Sequence, residues 1–255
     1  MKKRTSRNLK YKTKELMDFF SVNRQRWEEF YPSERRAFQI IALKDRSLGD
    51  ILDVGCACGG LGAALEEIFT FKSYTGIDIN DNVIEWARKH RKLSVPAKFI
   101  ADDVLNYNLE KKYHLVVSLS CADWNVETKR IIKYCWARVK PGGHFVISLR
   151  LTTGKSICDI GKSFQYINFS GKKQHPEIAN YVVFNFKDAL GVFRALSPRP
   201  ELIGAYGYYG RPSVSAVTAY KELVFAVFYI KKQAKGFRKT KGIRCEFDLP
   251  LAIFK

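Results

Sequence analysis

A glycine-rich turn and three evenly spaced carboxylates are the residues whose types and spacing could do chemistry. The turn, residues 55–60 (GCACGG), follows a short apolar run directly and opens a helical pattern. Small side chains let a ligand approach the backbone there, and the N-terminus of the helix offers unpaired N–H groups. Asp53, Asp78 and Asp103 follow one another at intervals of 25 residues, the length of one strand–helix unit. This pattern predicts a ligand site at the ends of successive strands.

The ligand that fits these acids best is a nucleoside without a pyrophosphate. The turn nearly matches the dinucleotide pattern G-x-G-x-x-G, but Asp53 stands where a dinucleotide site usually has an apolar residue. Asp78 ends the second predicted strand, where a carboxylate can accept both hydroxyls of a ribose, and Asp103 can meet the exocyclic amine of adenine. Taken alone, the turn also fits a tight strand–helix connection without any ligand.

Short apolar runs alternate with amphipathic helical segments around these residues. Such alternation implies right-handed crossovers and an α/β fold with a doubly wound, mostly parallel sheet. Strands are predicted over residues 51–54, 73–79, 98–101, 115–119 and 144–149, and helices over 59–69, 81–92 and 128–139.

The two ends of the chain show a different pattern. Residues 15–44 are predicted to be helical, with a break at Pro32 and a second helix from Ser33. No linker divides the chain, so one domain is expected. Beyond residue 150 the pattern predicts a hairpin of 164–169 with 181–186, a helix over 188–196, and an antiparallel pair of edge strands over 202–208 and 223–230.

Residues 50–150 resemble the class I S-adenosylmethionine-dependent methyltransferases. The resemblance rests on LDVGCACGG, on the acid of YTGIDIN, on ADDV, on the strand YHLVVSLS and on the turn VKPGG. It implies a seven-stranded, Rossmann-like sheet whose last strand is antiparallel, an insertion after strand five, and S-adenosyl-L-methionine as the cofactor. Ala57 stands where the family usually has glycine.

The resemblance also implies which residues hold the cofactor and how the domain is divided. The turn would contact the methionine part, Asp78 the ribose and Asp103 the adenine, while backbone at 118–120 would face the activated methyl group. The implied cofactor-binding residues are Asp53, Gly55, Cys56, Ala57, Gly59, Asp78, Ile79, Asp102, Asp103, Val104, Ser118, Leu119 and Ser120. The single methyltransferase domain, 1–255, would comprise an N-terminal helical cap (1–48), a cofactor-binding core (49–151), a substrate-side insertion (152–187), and C-terminal strands with a basic tail (188–255).

The methyl acceptor is expected beside the loop that follows strand four. Asp123 is the predicted catalytic side chain, as a base or as a hydrogen-bond orienter; a cap of the next helix, in competition with Asn125, is the alternative. The loop lacks the Asn/Asp-Pro-Pro-aromatic and Pro-Cys motifs of many enzymes that methylate bases, which lowers the expectation of a nucleic-acid substrate. Acceptor contacts are predicted for Tyr31, Trp124, Arg150, Tyr208 and Arg211.

Charge is the anomaly of the composition. Lys and Arg number 44 against 25 Asp and Glu, which leaves a formal charge of +19. Residues 1–14 and 231–244 hold seven basic residues each and no acid, so the rest of the chain carries only +5. Solvated end segments and contacts with an anionic partner both fit these two basic runs.

Three functions fit the sequence. The first is methyl transfer to an oxygen or nitrogen of a small biosynthetic metabolite or sugar-containing acceptor. The second is an RNA methyltransferase whose basic tails hold phosphate, and the third is a non-catalytic partner subunit that binds the cofactor. No apolar stretch is long enough to cross a bilayer, no secretion signal is recognisable, and the six cysteines show no zinc-ligand spacing. A cytoplasmic protein without a metal is therefore expected, and its oligomeric state stays open.

Overall fold

A twisted sheet runs through the centre of the molecule, and helices cover both of its faces. The computed structural model describes residues 8–168, 176–234, 236 and 242–254. The strands in this part of the chain are β1 (Asp50–Val54), β2 (Ser73–Asp78), β3 (Ala97–Ala101), β4 (Tyr113–Ser118), β5 (Val139–Thr152), β6 (Phe164–Tyr166), β7 (Ile178–Asn180), β8 (Val183–Asn185), β9 (Pro200–Gly210), β10 (Ala216–Val217), β11 (Leu223–Lys232) and β12 (Arg244–Asp248).

The predicted doubly wound, mostly parallel sheet is confirmed. Its order is β12-β9-β11-β5-β4-β1-β2-β3, with β8 also paired to β5, while β10, β6 and β7 form a separate small sheet. β11 runs antiparallel to both of its neighbours, β5 and β9. All seven predicted strands of the main sheet are present, and β8 and β12 extend it. β9 is therefore not an edge strand as expected, because β12 pairs with its outer side in parallel.

Helices pack on the sheet in two layers, because successive residues of a strand point to opposite faces. Side chains of α2 (Pro32–Ala42), α3 (Gly60–Glu66) and α4 (Asp81–His90) surround Ile51 and Leu115 on one face. Side chains of α5 (Thr128–Arg138) and α6 (Phe186–Arg194) surround Leu52 and Val116 on the other. No helix among the described residues is long and apolar enough to cross a membrane. The helices are α1 (Glu15–Val22), α2 (Pro32–Ala42), α3 (Gly60–Glu66), α4 (Asp81–His90), α5 (Thr128–Arg138) and α6 (Phe186–Arg194).

Helix α2 begins one residue earlier than the sequence predicts. Its first residue is Pro32 rather than Ser33, and Glu34 Oε2 accepts the Tyr31 N–H at 2.9 Å just before the helix. Proline suits the first helical position because the N–H it lacks would have had no partner within the helix. The apparent break in the pattern is therefore the start of the helix itself.

The predicted hairpin of 164–169 with 181–186 is wrong in its second strand. β6 pairs with β7, whereas β8 joins the main sheet beside β5. Asn185 ends β8, and its side chain accepts the Lys187 N–H at 2.9 Å, so α6 starts at Phe186 rather than Asp188. Residues 169–175 of the intervening polar segment lie outside the described residues.

Candidate active site

A pocket opens at the carboxyl ends of β1 to β4, where the strand order reverses between β4 and β1. Open parallel sheets bind ligands at such a point. All of the implied cofactor-binding residues except Gly59 and Ser118 line this pocket. Residues that the sequence pattern did not single out line it too: Asn8, Leu9, Tyr11, Leu16, Phe20, Arg24 and Asn80.

The glycine turn brings its backbone against the pocket through an unusual conformation. Gly55, Ala57 and Gly59 have φ of 79°, 45° and 73°, a region that residues with a Cβ rarely adopt. Ala57 holds this conformation although it carries a Cβ, which explains why glycine is usual here in the family that the chain resembles. A Cβ on Gly55 would lie 2.3 Å from Cys121 Sγ, so the loop after β4 closes directly on the turn.

Asp78 is fixed at the end of β2 by hydrogen bonds from both sides. Its Oδ2 accepts the Ala57 N–H at 3.0 Å, and its Oδ1 accepts the N–H and the side-chain amide of Asn80 at 2.9 and 3.0 Å. Burial raises the pKa of Asp78, and these hydrogen bonds lower it. The carboxylate therefore links the glycine turn to the start of α4 and lines the pocket between them.

Asp53 lies beneath the turn, 3% exposed. The Tyr74 hydroxyl donates to its Oδ2 at 2.5 Å. Burial and the nearby charge of Asp78 raise the pKa of Asp53 to about 7. The hydrogen bond from Tyr74 and the charge of Arg24 oppose this rise. The group thus changes charge near neutral pH.

Asp103 presents a buried oxygen that the described residues leave without a partner. Its Oδ1 accepts the Leu105 N–H at 2.8 Å and the Asn8 side-chain amide at 3.4 Å. Its Oδ2 is buried and has no hydrogen bond within the described part of the chain. Because a buried acceptor without a donor is unfavourable, this oxygen suits a ligand that brings an N–H group, such as the exocyclic amine of adenine.

Arg24 is a pocket residue that no sequence pattern indicated. Its φ is 61°, its guanidinium pairs with Glu34 at 2.9 Å and lies 4.4 Å from the centre of the Phe30 ring. A Cβ on Gly60 would lie 2.0 Å from the Arg24 carbonyl oxygen. This close approach places the Arg24 backbone against the glycine turn. The charge of Arg24 also lowers the pKa of Asp53 beneath the turn. Hydropathy periodicity carries no signal for such a contact.

Asp123, the predicted catalytic residue, is not among the residues that line the pocket. It lies in a 3-10 turn (Ala122–Trp124) and pairs with Arg150, whose Nε is 3.5 Å from Asp123 Oδ2. Arg150 Nη1 also donates to the carbonyl oxygens of Asp123 and Val182, at 3.1 and 3.3 Å. The alternative, in which Asp123 caps the next helix, does not agree with the structure, since Glu127 precedes α5 and no side chain caps this helix.

Trp124 is the one predicted acceptor residue that lines the pocket within the described structure. Arg150 is buried beneath it, 5.6 Å from its ring. Tyr31 is 56% exposed, Tyr208 faces Ser33 and Tyr31, and Arg211 lies at the surface. In the described part of the chain no group of His, Cys, Asp and Glu side chains could hold a metal ion.

The chain is similar to known methyltransferases over part of its length. Residues 51–143 match the family described as a methyltransferase domain. The ubiquinone biosynthesis O-methyltransferase of Proteus mirabilis (strain HI4320) is 29% identical over 157 residues, which cover 57% of this chain and 63% of that protein. The malonyl-[acyl-carrier protein] O-methyltransferase 1 of Ilyobacter polytropus is 30% identical over 99 residues, 39% of this chain and 37% of that one. The chain thus spans less than two thirds of either relative.

The fold is shared with solved methyltransferase structures. An S-adenosylmethionine-dependent methyltransferase from Clostridium acetobutylicum ATCC 824 matches with a TM-score of 0.53 at 15% identity, over 80% of this chain and 92% of that one. Residues 51–143 are thus similar in sequence to methyltransferase domains, and the fold is that of S-adenosylmethionine-dependent methyltransferases. The buried oxygen of Asp103 that has no partner among the described residues fits the adenine amine of S-adenosyl-L-methionine in chemistry.

We expect the affinity for S-adenosylmethionine to fall as the pH drops below about 7. The cofactor carries an ammonium and a sulfonium charge, so it binds better when Asp53 is ionised, and binding lowers the pKa of this carboxyl from about 7. The affinity should then rise as the pH increases, by at most about tenfold per pH unit, and become constant above pH 7. Calorimetric titrations between pH 5.5 and 8.5 measure this, and an Asp53→Asn variant should bind with little pH dependence. An equal pH dependence in that variant would contradict the role of Asp53.

Proposed function

We propose that the protein transfers the methyl group of S-adenosylmethionine to an oxygen or nitrogen atom of a small biosynthetic metabolite or a sugar-containing acceptor. The observation that carries the proposal is that Tyr11, Leu16 and Phe20 line the pocket together with the glycine turn. A ligand space enclosed in this way suits a small acceptor better than a base held in a polymer. Both curated relatives named above are O-methyltransferases by name, which favours oxygen as the acceptor atom.

The residues of the pocket have mainly to orient the two reactants. The bound cofactor supplies a methyl group on positively charged sulfur, so rate depends on holding the acceptor in line with it. Asp78 and Asp103 fix the nucleoside, and the buried carboxyl of Asp53 keeps negative charge near the cation. Trp124 forms a wall on the side of the loop after β4, where the acceptor would enter. These intact acids support catalysis over a role as a non-catalytic partner subunit.

The RNA alternative is weakened by where the two basic runs lie. Lys12 and Lys14 of the first run are exposed beside the pocket. The second run begins at the end of β11, which is antiparallel to β5, so it leaves the sheet at the end opposite the pocket. There Lys232 is buried and donates to two carbonyl oxygens at the end of α5. The described parts of the two runs therefore lie at opposite ends of the sheet. Residues 1–7, 235 and 237–241 of these runs lie outside the described residues.

Salt should have little effect on the reaction with a small acceptor. We expect kcat/KM to change less than about threefold between 50 and 200 mM salt, whereas an RNA held by several phosphates would lose about 10³-fold or more in affinity. A double variant, Lys12→Gln with Lys14→Gln, should keep its activity, since the backbone N–H groups of residue 12 and its neighbours remain. A steep salt dependence that this variant flattens would favour RNA instead.

The test of the function is a methyl-transfer screen with isotopically labelled S-adenosylmethionine. One arm uses a fractionated extract of cell metabolites, and the other uses total RNA. We expect label in the metabolite fractions, with none above background for an Asp78→Ala variant. Label only in RNA supports the alternative, and a folded protein that binds the cofactor but labels neither arm supports a non-catalytic subunit.

A further inference from the structure

The amino ends of four neighbouring strands carry a group of exposed cations. Strands β4, β1, β2 and β3 lie side by side and run parallel, so their amino ends meet at the end of the sheet opposite the pocket. Neighbouring strands are about 4.8 Å apart, so these four ends span about 15 Å. Six exposed residues here, called the basal face, are Lys44 and Arg46 before β1, Lys72 before β2, Lys98 at the start of β3, and Lys111 and Lys112 before β4.

Acidic side chains neutralise only part of the basal face. Asp50, the first residue of β1, is paired with Lys111 Nζ at 2.8 Å and with Lys140 Nζ at 3.1 Å, so two lysines share one carboxylate. The exposed acids of the same loops are Asp45 and Glu110. Within the described part of the chain, the other five cations of the basal face form no ion pair. A surplus of positive charge therefore remains exposed there.

The opposite ends of the same four strands are acidic. Asp53 lies near the end of β1, Asp78 ends β2, Asp103 follows β3 and Asp123 follows β4. Each strand thus has cations at its amino end and a carboxyl group at or after its carboxyl end. An anionic surface would attract the basal face and repel the end with the pocket. This separation of charge favours one orientation on such a surface.

An exposed leucine beside the basal face distinguishes between the possible anionic partners. Leu43 directly precedes Lys44 in the loop between α2 and β1, and its side chain is 78% exposed. Next to cations, such a side chain contributes little to the binding of a phosphate backbone, but it partitions into the boundary between lipid headgroups and acyl chains. Leu43 therefore favours a lipid surface.

The other side chains of this end fit a nucleic acid poorly. In the described chain, no exposed Phe, Tyr or Trp lies in the loops that lead into these four strands, so unpaired bases would find no ring to stack on. Five of the six cations of the basal face are lysines. The planar guanidinium of arginine matches the phosphates of nucleic acids, whereas lysine is a hydrated point charge that needs no fixed geometry.

We propose that the basal face docks on an anionic membrane surface, with Leu43 in the headgroup layer and the pocket directed away from the lipid. The proposal concerns the place where the protein works and does not rest on the proposed function. The contact is electrostatic and has one apolar side chain, so it is reversible and weakens as salt increases. The pocket then opens to the aqueous side, where a small polar acceptor reaches it.

The test measures cosedimentation of the full-length protein with lipid vesicles. One set contains phosphatidylcholine alone, and the other contains equal parts of phosphatidylcholine and phosphatidylglycerol. We expect binding only to the second set, and about 25-fold weaker binding for Lys44→Gln combined with Arg46→Gln, since each cation near an anionic membrane changes the affinity about fivefold.

A matched double variant shows whether the position of the charges matters. Lys12→Gln combined with Lys14→Gln removes the same charge at the pocket end, where both side chains are exposed, and should bind the vesicles as the wild type does. An equal loss in the two double variants, or no binding by the wild type, overturns the proposal. A Lys44 and Arg46 variant that is less stable to heat but binds vesicles normally also overturns it, because these cations would then serve only the C-terminus of α2.

Leu43→Ser and a short RNA duplex distinguish lipid from nucleic acid. We expect Leu43→Ser to bind the anionic vesicles about threefold more weakly or worse, and the wild type to prefer the vesicles to the duplex. Tighter binding of the duplex, with vesicle binding that Leu43→Ser leaves unchanged, shows that the proposal is wrong. Because all substitutions of the basal face lie at the end opposite the pocket, methyl transfer in solution should be unaffected in every one of them. A failure of the proposed function is therefore measured separately.

Discussion

Replacing Asp78 by alanine should weaken the binding of S-adenosylmethionine about 100-fold or more. The expected loss has two parts. Hydrogen bonds between a carboxylate and the ribose hydroxyls contribute about 1.5–3 kcal/mol each. The substitution also removes the acceptor for the Ala57 N–H and for Asn80, so the glycine turn and the start of α4 lose their common partner. Calorimetric titration of the purified variant measures the loss directly.

Two further variants separate the ribose contact from folding. Asp78→Asn keeps an acceptor oxygen for the turn but loses the charge, so we expect an intermediate affinity. Asp45→Ala removes an exposed carboxylate away from the pocket and should bind as the wild type does. Thermal unfolding without cofactor checks that Asp78→Ala is folded. An unchanged affinity in a folded Asp78→Ala protein would exclude this residue from the ribose site.

The part of the candidate site that is proposed to hold the cofactor could be predicted, because its residues follow from strand spacing. Each strand–helix unit returns the chain to the same edge of the sheet, so acids at equal intervals meet there, as Asp53, Asp78 and Asp103 do. The small residues of the turn carry a local signal, since their backbone conformation is left-handed. Such information is local or periodic, and a single sequence contains it.

The rest of the pocket could not be predicted, because its contacts join distant parts of the chain. Glu177 accepts the N–H of Lys12 across 165 residues, and neither its neighbours nor the apolar periodicity marks it. Arg24 takes a positive φ that only its tertiary surroundings explain. The sequence places Asp123 in the loop after β4, and the structure agrees, but its side chain is paired with Arg150 and does not line the pocket.

Breaking the pair of Asp123 with Arg150 should lower the free energy of unfolding by about 3–5 kcal/mol. Both side chains are almost fully buried, 4% and 6% exposed, so Arg150→Met leaves a carboxylate without a counter-charge. The substitution also removes the donor to the carbonyl oxygens of Asp123 and Val182. It removes as well the positive charge that lies 3.7 Å from the centre of the Tyr181 ring. Urea denaturation at pH 7 measures the change.

The pH dependence and a double variant decide what Asp123 does. Burial already raises the pKa of Asp123, and Arg150 opposes this. Without the arginine, the pKa of Asp123 in the folded protein should lie further above its value in the unfolded chain. The folded state is then stabilised at low pH, where the acid is neutral, and this stability is lost as the pH rises. The deficit of Arg150→Met should therefore shrink as the pH is lowered towards 4.

Asp123→Leu combined with Arg150→Met should regain most of the stability, since apolar side chains of similar volume often replace a buried pair. If instead Asp123→Asn alone keeps full stability and cofactor affinity but loses turnover, Asp123 acts on the acceptor and not only through the pair.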